Sequence, residues 1–152
     1  MQINFATSLS PILTQDVTIT RQARTTDERT TTGDTEMAKK SIVPYGLYRA
    51  EGYVSAPLAE KTFLMEEDVE LLWTAILNMF EFDHSAARGK MCMRKLFVFR
   101  HDSPLGNAPS HLLFERIRVE AVDPVKPPRL FTDYTVTVDR NLPEGVTLLE
   151  KL

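Results

Sequence analysis

Between His84 and His101 the chain carries Arg88, Lys90, Arg94, Lys95 and Arg100 and no acidic residue, whereas residues 62–83 carry acids and neither lysine nor arginine. Guanidinium and ammonium groups gathered in a loop that runs into a strand offer charged donors to phosphate oxygens. A glycine among them, Gly89, lets a phosphate backbone come close. The same segregation also describes a solvated basic surface that pairs in part with an acidic helix beside it.

A second basic group brackets a threonine-rich stretch: Arg21 and Arg24 before it, Lys39 and Lys40 after it, then Tyr45, Tyr48 and Arg49. Aromatic rings interleaved with cations are what a single-stranded nucleic acid requires, because bases stack on rings while phosphates pair with charge. Asp27, Glu28, Asp34 and Glu36 make the tip of this arm nearly neutral, so the argument applies to its base.

His84, His101 and His111 are the residues that could do acid–base or metal work. None stands at a metal-ligand spacing, and the chain has neither a glycine-rich phosphate loop nor a nucleophile elbow. No catalytic residue, metal site or cofactor is therefore expected. The single cysteine, Cys92, reads as a small hydrophobe, and one cysteine excludes an internal disulfide. Rival readings remain: a ribonuclease that uses one of the histidines, or a remnant that no longer binds RNA.

These residues must be positioned by an ordinary globular composition. The chain has 152 residues, 43 % of them hydrophobic and 26 % charged, with a net charge of −3. One domain is expected, without global attraction to polyanions. The N-terminus lacks a secretory pattern and no stretch is long enough to span a bilayer, which together point to the cytoplasm and no membrane partner.

Alternation predicts strands over 2–9, 17–21, 47–55, 95–100 and 134–138, with a mobile loop over 24–41. Val69, Leu72, Trp73, Ile76, Leu77, Met79 and Phe80 form an apolar stripe on a helix from Glu66 to Phe82, whose first turn is acidic as the helix dipole favours. A shorter helix starts near Pro109 and runs through Ile117, and the prolines at 124, 127 and 128 then break the chain. The order implies an α+β fold in which antiparallel strands are covered by helices on one side.

Several separated runs, in order, resemble a known family. They are Val43–Arg49 (VPYGLYR), Ala56–Thr62 (APLAEKT), Glu66–Trp73 (EEDVELLW), Ser85–Gly89 (SAARG), Leu105–Pro109 (LGNAP) and Leu142–Val146 (LPEGV). They are similar to the Cas-seven backbone subunit of the type I-C Cascade complex in CRISPR defence. That resemblance implies a palm of the modified RNA-recognition-motif type, with a hairpin thumb over about 17–48. It implies copies that polymerise along a guide RNA together with other Cascade subunits and meet target DNA through the guide. The RNA-binding residues it suggests are Arg21, Arg24, Lys39, Lys40, Tyr45, Arg49, Arg88, Lys90 and Arg94. Only the C-terminal portion of the family's chain is matched, so the first palm strand and helix are expected to be absent. Phe63-Leu64-Met65 replaces a small, polar approach to the long helix, removing a serine cap at a cost of about 1 kcal/mol.

Overall fold

The computed structural model describes residues 1–21, 36–85 and 89–152, and the chain is mixed helix and strand, as the element order implied. Arg24, Arg88 and residues 24–35 of the expected loop lie outside the described residues.

Residues 1–21 and 36–53 pair as one long, interrupted antiparallel ladder. β1 (Gln2–Ile3) pairs with β6 (Gly52–Tyr53), β2 (Thr7–Ser8) with β5 (Tyr48–Arg49), and β3 (Gln15–Arg21) with β4 (Glu36–Ile42). From Ile3↔Gly52 to Thr7↔Arg49 the outgoing strand advances four residues while its partner supplies three. From Ser8↔Tyr48 to Gln15↔Ile42 it advances seven against six. Each interruption thus holds one extra residue on the outgoing strand, as a bulge does. Pro11 and Pro44 both fall in the second interruption, where neither can donate to a ladder. The expected strands at 2–9 and 47–55 are broken for this reason into two-residue pieces.

One expectation is overturned outright. Residues 36–41, read as loop because they have little to bury, belong with Ile42 to a seven-residue strand, β4. Burial is not what forms it: the ladder with the β-branched Val17, Thr18, Ile19 and Thr20 satisfies the backbone, and Met37 stays 74 % exposed.

Two helices follow. α1 (Ala56–Thr62), unforeseen as a helix, places Pro57 in the first turn, where no donor is needed. It ends on a left-handed residue, Phe63 at φ 56°. Phe63 N–H donates to Glu60 O and Leu64 N–H to Ala59 O, the paired bonds of a Schellman end. α2 (Glu66–Asn78) begins at Met65, which has no capping oxygen. The Asp68 carboxylate instead reaches back to accept from Met65 N–H at 2.8 Å, one half of a capping box.

The helix stops at Asn78, short of the predicted Phe82. Its ladder tightens there to three-residue bonds, Met79 N–H to Ile76 O and Glu81 N–H to Asn78 O. No basic residue complements its last turn, and Glu81 and Asp83 oppose the dipole. Val69, Leu72, Trp73, Ile76 and Leu77 are half-buried, so the stripe faces the body although none of α2 is fully enclosed.

The remaining strands pair two by two. β7 (Phe97–His101) lies against β10 (Val146–Glu150), and β8 (Ile117–Ala121) against β9 (Tyr134–Val138), with α3 (Ser110–Phe114) between β7 and β8. Here β8 takes Ile117 from the predicted second helix, and β10 adds a strand beyond those the alternation predicted. Ion pairs attach α2 to the first ribbon: Lys151 Nζ to Glu70 at 2.7 Å and Arg100 to Glu66 at 3.7 Å. Among the described residues the buried side chains are Leu113, Ile117, Tyr134 and Val146, on α3, β8, β9 and β10.

Two of the sequence runs, 105–109 and 142–146, meet. Asn107 donates its N–H to His101 Nδ1 at 2.9 Å and accepts from Ser103 N–H through Oδ1 at 3.1 Å. A Cβ on Gly145, whose φ is +76°, would lie 2.2 Å from the Asn107 amide nitrogen. Gly145→Ala is therefore expected to lower unfolding stability by about 2 kcal/mol through strain and loss of the turn, measured by urea denaturation. Phe63→Gly should do the reverse, raising stability by about 1 kcal/mol as the left-handed strain is relieved.

Candidate nucleic-acid interface

Lys39 stands opposite Thr18 and Lys40 opposite Val17 in the ribbon register, so the pleat sends them to opposite faces. Both are exposed and, among the described residues, neither has an ion-pair partner. Each face of the ribbon therefore presents one of these lysines. Of Arg21, the backbone alone is described, paired with Glu36 at the open end of the ladder.

Arg49 is turned inward. Its Nη1 donates to Ile117 O at 2.9 Å, its Nη2 to Phe114 O at 2.6 Å, and its Nε lies 3.0 Å from Glu51. This guanidinium ties the root of the hairpin to the corner between α3 and β8. Tyr53 adds an edge-to-face contact with Phe114 at 5.6 Å, and Tyr134 OH donates to Ser10 Oγ at 2.9 Å.

The basic run at 84–101 divides. Lys90 is exposed beside Gly89, whose φ of +64° closes the loop through the Ser85↔Gly89 bridge, with open space where a Cβ would stand. Arg100 pairs with Glu66 of the acidic helix, the outcome expected of a solvated basic surface. Arg94 instead lies over the ring of Phe131, its guanidinium carbon 5.4 Å from the centroid.

Arg94 also lies close enough to Tyr45, forty-nine positions earlier in the chain, for its charge to act on the phenol. Burial pushes the Tyr45 phenol above its ordinary range, and the Tyr134 hydroxyl adds to this, while the Arg94 charge opposes it. Tyr45 lines a shallow cleft walled by residues 10–13, 45–47 and 127–129 together with Tyr134. Below Phe131, the Asp133 carboxylate accepts from Arg129 N–H at 2.8 Å and Leu130 N–H at 2.9 Å, which holds it below the usual carboxylate range.

Of the nine residues picked from sequence, the fold brings together Tyr45 and Arg94. It separates Lys39 from Lys40 and gives Arg49 an internal role. Sequence reasoning missed Arg129, Phe131 and Tyr134, because the proline pair before them was read only as a break. The signal was there: one arginine, Arg129, and two aromatic residues, Phe131 and Tyr134, follow directly after Pro127-Pro128, the same pairing of cation and ring that singled out Tyr45 and Arg49.

The histidines do not converge. His101 uses Nδ1 as an acceptor, and among the described residues no group of three or more His, Cys, Asp or Glu could hold a metal ion. Among the same residues no helix is long and apolar enough to cross a membrane.

Two outcomes follow. Arg49→Met should cost about 2 kcal/mol of stability, since two carbonyls lose a charged donor, and a thermal melt measures it. Because the raised phenol favours the neutral form in the folded state, Tyr45 contributes stability that is present below the ordinary tyrosine range. That contribution is lost as pH rises through its folded value. Absorbance titration should show one tyrosine ionising late, absent in Tyr45→Phe and later still in Arg94→Ala.

No curated protein matches the chain. The family model for CRISPR-associated protein Cas7 matches residues 1–139, most of its length, and on that match the chain belongs to the Cas7 family of CRISPR-associated backbone subunits.

Proposed function

We propose that this chain is a non-catalytic, guide-RNA-binding backbone subunit of a type I-C CRISPR surveillance complex. Copies polymerise along the guide and hold its phosphates while base pairing reads target DNA. The observation that carries the reading is the Cas7 family match over residues 1–139. The hairpin formed by β3 and β4 serves as the thumb and the ribbons around α3 as part of the palm. Exposed cations at Lys39, Lys40, Lys90 and Arg94 support it, each on a segment available to solvent. Arg88, Arg24 and Arg21 complete the phosphate contacts.

Backbone recognition makes a specific demand on salt dependence. Each phosphate contact to a single strand contributes about 0.7 to the slope of log affinity against log salt. Arg88→Ala should lower the affinity and reduce the slope by about 0.7, with no change in preference among oligonucleotides of different sequence. A variant that changes base preference and keeps the slope refutes the phosphate role. Size-exclusion chromatography should show the protein shifting to a larger species with guide RNA. Incubation with labelled RNA should leave the strand intact, and cleavage abolished by His84→Ala or His101→Ala would sink the non-catalytic assignment.

A further inference from the structure

The geometry points to a one-nucleotide subsite on this chain, built from Tyr45, Arg94 and Arg129 around the mouth of the cleft beneath the hairpin root. In it the base of a single-stranded RNA unit lies across Tyr45 and its phosphates meet the two arginines. The inference rests on the guide-RNA reading above and specifies a place where the protein touches a base as well as the backbone.

Four observations carry it. Arg94 and Arg129 are both exposed, and among the described residues neither has a carboxylate partner within ion-pair distance. Arg94 is not a loose surface cation: its guanidinium lies over the Phe131 ring, 5.4 Å from the centroid, while the residue stays exposed to solvent. Tyr45 is half-buried and lines the cleft, so less of its side-chain freedom is left to lose when a base stacks on it. The cleft is walled by Pro11, Pro127 and Pro128 as well as by tyrosines, surfaces to which a flat base adheres.

Size decides how the base would sit. The enclosed space admits about one water molecule, far too little for a nucleobase, so the base caps the mouth and does not enter. The negative charge nearby belongs to Asp133, whose carboxylate is occupied by the main-chain N–H groups of Arg129 and Leu130. The cluster therefore offers two cations to one anion that is already hydrogen-bonded, a net attraction for phosphate. Nothing in it reads the base edge, so the subsite should accept any base and discriminate only between having a base and lacking one.

The test uses the full chain with two labelled probes of equal length, an oligouridylate and an abasic phosphodiester chain, titrated at several salt concentrations. Tyr45→Leu keeps apolar volume and removes the ring. It should weaken oligouridylate binding at least about fivefold and leave the abasic probe unchanged, while Tyr45→Phe should match the parent on both. Arg94→Ala and Arg129→Ala should weaken both probes and each reduce the salt slope by about 0.7. Lys126→Ala, an exposed change outside the cluster, controls for general charge loss. Equal effects of Tyr45→Leu on both probes, or no effect of Arg129→Ala on either, overturn the subsite while the guide-RNA reading stands. A parent protein that binds neither probe overturns that reading and the subsite with it.

Discussion

Everything in the N-terminal third depends on one guanidinium. A hairpin with solvent on both faces cannot hold its own orientation, because two strands bury too little to fix an angle to anything else. Arg49 supplies the missing constraint by donating to Phe114 O and Ile117 O, two carbonyls at a chain corner where neither helix nor ladder provides a partner. Glu51 balances the charge, which makes a guanidinium tolerable at a site only 29 % exposed. Tyr53 on Phe114 and Ser10 on Tyr134 then fix the rotation that one tie alone would leave free.

That docking places Tyr45 where it can act. The residue lies in the second interruption of the hairpin, between Pro44 and Gly46, where the chain has left the ladder and its side chain can turn towards the body. An added Cβ at Gly46 would come within 2.8 Å of the Tyr48 ring, so this stretch has no room for a larger residue. Bulge and tie thus work together. The interruption leaves Tyr45 outside the ladder, lining one cleft with Tyr134 and within reach of the Arg94 charge.

The C-terminal ribbons hold by a different means. Their buried residues are few, and polar turns do much of the ordering: Asn107 against Gly145 at one end of the β7–β10 pair, Arg116 bonded to Asp139 and Asn141 beside the β8–β9 pair. Backbone geometry ties the short runs around Gly106-Asn107 and Gly145 to one another. Gly106 and Gly145 both sit at positive φ, and Gly145 must also lack a side chain to admit the asparagine amide.

By itself the sequence determined the local pieces: the amphipathic stripe and acidic start of α2, the alternation of β3, β7 and β9, the basic character of 84–101, and the family pattern of its short motifs. Those signals are periodic or compositional and survive without knowledge of neighbours. The strand at 36–42 was not legible, because its partner lies across the arm and its own residues show no burial pattern. The Tyr45–Arg94–Phe131 cluster was not legible either, nor was the inward turn of Arg49. Charge and aromaticity identify a residue's chemistry, but only the tertiary path decides whether a guanidinium meets a carbonyl, a ring or solvent.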